Sequence, residues 1–532
     1  MFKFLDQVKK YFGMREGYSF ILFGIASMLI VVLLLGFSGR QSSMVKKPNV
    51  VIIFADDMGY GDIQSLNPLS RIKTPAIDEL VNSGITFENA HASASVCTPS
   101  RYGLLTGRYA FRTPAAAGGI GGFTPSVIEK ERLTLASILN NAGYNTAITG
   151  KWHLGLNWAT KDQNIAQIDA TTGFSNVDYS SPVKSGPNDY GFDYSFIHPA
   201  SLDIPPYVFL ENGKVVDPNI ILTTDVYPIR KENTEFTWDK KHSDDKAVYW
   251  EKGVWWRLGE MSASFKVEDC LENIVAQGEK FIGKQSAERP FLLYMPLTGP
   301  HTPWLPSEEN KGKSGAGLYG DFVMDIDQVV GRIKSKLKEE GLLDNTLIIF
   351  SSDNGAYWPE EEVLLHGHDS NKGSRGQKGD VWNGGHRVPL VISWPNGIKK
   401  SNTYKGLVSL TDIYATLASL SGEKIPAGEG IDSKDFGDVL TGDMSFTSRN
   451  NMVHHSSAGM FAIREGDWKY IDGLGSGGFT YPVRLNPDEK GPVGQLYQLN
   501  KDPLESTNLF EAFPEKVDRM KQNLEEIKRA GE

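Results

Sequence analysis

Four near-continuous apolar runs constrain this chain more than any other feature: Asn49-Val-Val-Ile-Ile-Phe-Ala55, Phe291-Leu-Leu-Tyr-Met295, Thr346-Leu-Ile-Ile-Phe350 and Val388-Pro-Leu-Val-Ile392. Side chains of a strand alternate between its two faces, so a strand that is apolar at every position is covered on both faces. Strands of a parallel sheet with helices packed on each side meet that condition. Stretches of helical periodicity at 76–83, 132–142, 267–284 and 323–340 separate the runs. The alternation predicts an α/β fold, with a large, mostly parallel, mixed sheet sandwiched by helices. A chain of 532 residues is long enough for such a core and a smaller second domain. The pattern changes near residue 400. Phe461-Ala-Ile-Arg-Glu-Gly-Asp-Trp-Lys-Tyr-Ile471 and Gln495-Leu-Tyr-Gln-Leu499 read as strands of a small sheet, and 513–530 as an amphipathic terminal helix. The expected division is a core at 48–400 and a C-terminal α+β subdomain at 401–532.

Ahead of the core, residues 18–37 (YSFILFGIASMLIVVLLLGF) carry no charge and are long enough to span a bilayer. A basic segment, 1–17, precedes them with Lys3, Lys9, Lys10 and Arg15, and a polar linker, 38–47, follows. No A-x-A site follows, which favours an uncleaved anchor over a cleaved signal peptide. Either reading places the folded part outside the cytoplasm, although Arg40, Lys46 and Lys47 put positive charge on the other flank too. The net charge of -10 speaks against a nucleic-acid partner. Two cysteines, Cys97 and Cys270, exclude a disulfide framework and a four-cysteine zinc site, and leave room for one bridge at most.

Ligands of open α/β sheets bind beyond the carboxyl ends of the strands. Asp56-Asp57 follows the first apolar run, and Ser351-Ser352-Asp353-Asn354-Gly355 follows the third. If those strands are neighbours, three carboxylates and an amide converge, and such a group needs a cation to stay ionised. Oxygen donors of this kind suit a hard ion, Ca²⁺ or Mg²⁺. The plainer alternative is that each Asp caps a turn. Cys97-Thr-Pro-Ser-Arg101 places a cysteine just before a helix start, either as a thiol nucleophile or as part of a structural turn. Lys151 and His153, two apart on an extended segment, would point to one side. His301 and Lys378, each framed by glycine or proline, are further candidates.

Together these residues resemble a known family. Cys97-Thr-Pro-Ser-Arg101 followed by Thr106-Gly107 fits C-x-P-S-R-x₄-T-G, and Gly143-Tyr144 through Lys151-Trp-His153 fits G-Y-x-T-x₃-G-K-x-H. Both are signatures of the formylglycine-dependent sulfatases of the alkaline phosphatase superfamily, and the resemblance runs from about residue 48 to 510. It implies an alkaline-phosphatase-like fold and hydrolysis of sulfate esters through a covalent sulfate intermediate. Cys97 would be oxidised to formylglycine by a maturation enzyme. Asp56, Asp57, Asp353, Asn354 and residue 97 would hold one Ca²⁺. Asp353 would act as base for the attacking hydroxyl, and Arg101 and Lys151 would position the hydrate and bind sulfate. His153 would deprotonate the second hydroxyl. His301 and Lys378 would bind sulfate at the bridging oxygen and protonate the leaving alcohol. One departure is Asn383, where many relatives carry an acidic residue before the Gly-Gly-x-Arg turn.

Sulfated carbohydrate is the expected substrate. Trp158, Trp238, Trp250, Trp255 and Trp256 lie in the loop-rich stretch 156–265, as stacking platforms or as core. His198, Asp203, His366 and His368 are candidate contacts to sugar hydroxyls. The competing readings are a phosphonate monoester or phosphodiester hydrolase of the same superfamily, a catalytically silent binding homologue, and a cysteine hydrolase with an unmodified thiol.

Overall fold

The computed structural model describes residues 10, 46–113, 118–169, 171–226, 257 and 259–530. The apolar segment 18–37 and the tryptophans at 238, 250, 255 and 256 lie outside the described residues. Among the described residues no helix is long and apolar enough to cross a membrane.

The first apolar run is β1 (Asn49–Ala55), buried at every position. In chain order follow β2 (Ile85–His91), β3 (Asn145–Lys151), β4 (Tyr194–His198), β5 (Leu210–Glu211), β6 (Lys214–Val215), β7 (Ile220–Leu222), β8 (Glu260–Ser262), β9 (Phe291–Pro296), β10 (Thr346–Ser352), β11 (Leu390–Ser393) and β12 (Asn402–Ser409). All but β7 and β8 form a ten-stranded sheet in the order β12-β2-β11-β10-β1-β9-β3-β4-β5-β6. The five central strands, β10 to β4, are parallel; β11 is antiparallel to both its neighbours, and β12 pairs parallel with β2. The sheet is therefore mixed and parallel at its centre. Alternate side chains of β1 enter opposite apolar layers, Val50, Ile52 and Phe54 on one face and Val51, Ile53 and Ala55 on the other. Helices α1 (Pro75–Ser83), α2 (Cys97–Thr106), α3 (Leu135–Asn141), α4 (Cys270–Ile282), α5 (Gly317–Glu339) and α6 (Asp412–Ser421) supply much of the remaining cover.

A second, antiparallel sheet joins β13 (Asn451–His455), β14 (Phe461–Glu465), β15 (Trp468–Ile471) and β16 (Gln495–Gln498). Its own small core includes Val517, Met520 and Leu524 of the last helix, α7 (Pro514–Arg529). The run 461–471 is a hairpin of β14 and β15, turned where Gly466 takes φ 55. Residue 400 is not where the large sheet ends, because β12 lies beyond it and pairs with β2. The described residues from Pro48 onward pack as one compact unit. Cys97 and Cys270 are both free and buried, so the one bridge that counting allowed is not formed.

Candidate active site

β1 and β10 run side by side, with Ala55 opposite Ser352. The residues that follow therefore emerge together at one edge of the sheet. The Asp353 amide donates to the Ala55 carbonyl (3.1 Å), and the Asp57 amide donates to Asp353 Oδ1 (3.2 Å). Asn354 Nδ2 donates to Asp57 Oδ1 (2.7 Å). The glycine of Asp353-Asn354-Gly355 is fixed by close backbone approach: a Cβ there would sit 1.9 Å from the Gly384 carbonyl oxygen. The next strand, β9, delivers His301, and the Asp56 amide donates to the Gly299 carbonyl (3.0 Å). β3, one strand further, ends at Lys151. β2 points the same way as β10, since both are antiparallel to β11, and the chain beyond it starts α2 at Cys97.

The result is a buried group of three carboxylates and three cations around Cys97. The Cys97 thiol lies 3.6 Å from Asp56 Oδ1. Arg101, one turn along α2, donates from Nε (3.1 Å) and Nη2 (2.7 Å) to Asp353 Oδ2 and from Nη1 to the Lys151 carbonyl (3.3 Å). Lys151 Nζ bonds Asp56 Oδ2 and the Ser201 hydroxyl (3.2 Å). Lys378 Nζ bonds Asp57 Oδ2 (2.7 Å). His301 Nε2 lies 3.7 Å from the same oxygen. Burial acts to raise the Asp56 carboxyl, but Lys151, His301 and Arg101 outweigh it and hold the group below its usual range. Asp353 moves the other way, because burial and the neighbouring Asp56 charge outweigh Arg101. Burial pushes the Cys97 thiol far above its ordinary range, in spite of Lys151 and Lys378.

Lys151 and His153 do not share a face by strand alternation, because the strand ends at Lys151 and His153 takes a left-handed φ of 53. The turn brings the His153 carbonyl to the Thr98 hydroxyl (3.0 Å) and its Nε2 to the Ile120 carbonyl (2.9 Å). That carbonyl accepts only, so the ring proton sits on Nε2 and Nδ1 carries a lone pair. Nδ1 is buried and has no partner. Burial and the Lys151 charge hold the ring neutral, well below the ordinary histidine range.

The carboxylate and amide oxygens of the buried group suit a hard divalent cation. Ligand atoms of Asp56, Asp57, Cys97 and His301 all lie within 4.8 Å of one another. Asn354 Oδ1 is buried with no partner, an orphan acceptor beside this group. His301 is thus closer to the ligand group than the sequence suggested. Asp353, expected as a ligand, accepts from Arg101 at Oδ2 and from the Asp57 amide at Oδ1, and Oδ1 keeps a second lone pair.

The four candidate sugar contacts divide. His198 is fully buried, with Nε2 at 3.0 Å from the Ser201 carbonyl and Nδ1 at 3.3 Å from that of Val208, which leaves no ring atom for a substrate. His368 is spent in the same way, on Asp62 Oδ1 (2.8 Å) and the Arg71 amide (3.3 Å). His366 stacks on Trp358, with its Nε2 3.5 Å from Glu362. Asp203 keeps Oδ1 buried and unpartnered; burial acts to raise its carboxyl, but His301, Arg257, Lys378 and Lys151 together lower it. Trp158 is core, its indole N–H on the Gly122 carbonyl (2.9 Å). Two residues had no motif to reveal them. Ser201 bridges Lys151 and His301, with its hydroxyl 3.4 Å from His301 Nε2. Glu505 forms an ion pair with Lys469 (2.8 Å) and accepts from the Asn383 amide (2.7 Å), and so supplies a carboxylate beside the position where Asn383 departs from the pattern.

A sheet with carboxylates, arginine, lysines and a cysteine at its carboxyl edge suits the binding and hydrolysis of an anionic ester. The family model named Sulfatase matches residues 48–423, and the chain belongs to that family. It is a sulfuric ester hydrolase. Its sequence is 34% identical over 499 residues to an N-acetylgalactosamine-6-O-sulfatase of Bacteroides thetaiotaomicron, covering 91% of this chain and 93% of the relative. It is 28% identical over 460 residues to human steryl-sulfatase, covering 83% and 78%. Among solved structures, a 6S-sulfatase from work on glycosaminoglycan metabolism in B. thetaiotaomicron superposes with TM-score 0.77 at 33% identity, covering 91% of this chain and 99% of that one. The phosphonate monoester hydrolase of Agrobacterium radiobacter shares the fold, with TM-score 0.55 at 17% identity over 91% and 96%.

Proposed function

We propose that this sulfatase removes sulfate from sulfated carbohydrate, using formylglycine at position 97 and one Ca²⁺. The observation that carries the reading is Cys97 itself. It sits among three carboxylates and three cations, yet burial keeps its thiol protonated, so an unmodified thiolate is a poor account of the site. Hydrated formylglycine supplies one hydroxyl to attack sulfur and a second whose deprotonation releases sulfate. A cation held by Asp56, Asp57, Asn354 and residue 97 adds positive charge to a group whose own charges balance, which suits an anionic ester.

The remaining steps fall to the chain's own side chains. Arg101 orients Asp353, whose raised carboxyl suits it to accept a proton from the attacking hydroxyl. Lys151 and Lys378 bind sulfate oxygens. His153, neutral with a free Nδ1 lone pair, takes the proton of the second hydroxyl. His301 and Lys378 sit at the bridging oxygen, where one of them gives the single proton the leaving sugar oxygen takes, and Asp203 accepts a hydrogen bond from a sugar hydroxyl through Oδ1. The name of the B. thetaiotaomicron relative supports an amino sugar sulfated at O6 as the first substrate to test. The protein acts outside the cytoplasm, anchored through 18–37 and matured by a formylglycine-generating enzyme.

The test is mass spectrometry of the Cys97 peptide, from protein made in a host with maturation activity, beside assays on an aryl sulfate and an aryl phosphonate ester. An aldehyde trapped by a hydrazine, with sulfate turnover well above phosphonate turnover, is expected. An intact cysteine in a fully active preparation refutes the mechanism.

A further inference from the structure

We propose that a cleft formed by the 357–377 segment and the C-terminal strap 479–481 binds sugar residues of the glycan beyond the one that bears the scissile sulfate. The inference rests on the carbohydrate reading above and goes beyond the catalytic group. The cleft has a volume of about 770 Å³ and is lined by Tyr357, Arg375, Gln377, Phe479 and Tyr481 among others. That volume is in the upper part of the range for small-molecule sites, enough for an elongated ligand.

Its position follows from the two chain segments that build the site. Tyr357 is three residues beyond Asn354, and Gln377 immediately precedes Lys378. The strap is pinned to the lysine loop by buried Asp380. This carboxylate accepts from the Gln377 amide (2.9 Å) and from the Phe479 (2.7 Å) and Thr480 (3.0 Å) amides. Phe479 is therefore held at a fixed place relative to Lys378 and meets Tyr357 edge to face, centroids 6.2 Å apart.

The lining has the chemistry of a sugar site. Phe479 and Tyr481 are 49% and 91% exposed, an uncommon state for large aromatic side chains, and their faces can cover the C–H faces of pyranose rings. Gln377 is 6% exposed, and its Oε1 has no partner in the structure, so it offers an acceptor to a hydroxyl. The Arg375 guanidinium stacks on Trp382 at 3.7 Å and donates from Nη1 to the Tyr497 hydroxyl (3.4 Å) and the Glu505 carbonyl, which fixes it at the cleft wall. Aromatic faces beside polar groups suit pyranose rings and their hydroxyls better than a purely apolar ligand.

The experiment uses matured full-length enzyme carrying Tyr481→Ala or Phe479→Ala. Two substrates are compared: a small aryl sulfate, and sulfated tetrasaccharides prepared from glycosaminoglycans and galactans. The expected result is a rise of about tenfold in KM for the tetrasaccharide, with kcat within twofold and aryl sulfate kinetics unchanged. Unchanged tetrasaccharide KM in both variants, or an equal loss on both substrates, overturns the proposal. A matured parent that hydrolyses neither substrate sinks the sulfatase chemistry instead. The cleft is then judged by calorimetry with desulfated tetrasaccharides: binding to the parent and about tenfold weaker binding to Tyr481→Ala support it, and no binding to the parent overturns it.

Discussion

His198 makes stability depend on pH in a way that can be worked out. Its ring is buried between Tyr207 and Phe265, with both nitrogens facing backbone carbonyls. Burial brings it down to about 4 from the ordinary 6.5, although the two carbonyls oppose the shift. Between those values the unfolded chain binds a proton that the folded chain does not. Stability is thus fully present above pH 6.5 and is lost as pH falls towards 4. At pH 5 the loss from this one residue is about 2 kcal/mol relative to pH 8. His91, His386 and His454, also held neutral chiefly by burial, act in the same direction, so wild type alone does not isolate His198. His198→Gln does, since glutamine cannot titrate but can still donate to a carbonyl. At pH 8 the variant loses about 1–2 kcal/mol of packing and hydrogen bonding. Between pH 8 and pH 5 its stability falls by about 2 kcal/mol less than that of wild type in urea unfolding. Equal pH dependence of the two proteins would refute the linkage argument. The same variant separates structure from substrate contact: kcat/KM on a sulfated sugar falls no more than about threefold, whereas loss of a sugar hydrogen bond costs on the order of tenfold or more.

Three other outcomes follow from the site. In unmatured protein, iodoacetamide leaves Cys97 unmodified at pH 8 over a time that alkylates a free model thiol, because burial disfavours the thiolate; peptide mapping checks this. Arg101→Lys keeps the charge but loses the two-pronged contact to Asp353, and lowers kcat at least about 100-fold, read with an aryl sulfate. A Ca²⁺ chelator abolishes turnover and lowers the unfolding temperature, since a ligand at 100 times its Kd stabilises the folded state by about 2.7 kcal/mol.

The centre of the fold was readable because the strands that make it are buried on both faces. β1, β9 and β10 announce themselves as apolar runs, and their parallel pairing follows from the helices between them. Strands with polar residues on both faces were not readable in this way. β2 carries Thr86, Glu88 and Asn89, and β12 carries exposed Asn402, Thr403 and Lys405, so neither looks like core, yet both extend the large sheet. That is why residue 400 looked like a boundary. The segment that forms β14 and β15 was readable as strand because its pattern stays strand-like on both sides of Gly466, where the chain turns.

The site was readable to the extent that chemistry is fixed by residues adjacent in sequence. Asp56-Asp57 and Asp353-Asn354 are paired by the register of β1 and β10, and two short motifs supply Cys97, Arg101, Lys151 and His153. The parts that escaped depend on side chains meeting across the fold. A buried histidine and a substrate-binding histidine are the same letter in a loop; only the carbonyls at both nitrogens show that His198 is committed to structure. Ser201, three residues later, carries no motif, but the turn that buries His198 sets its hydroxyl between Lys151 and His301. The structural residue and the polar contact are therefore coupled: the bond from the His198 ring to the Ser201 carbonyl helps to hold the Ser201 hydroxyl at the site. A histidine committed to structure can still help to place the hydroxyl that Lys151 bonds.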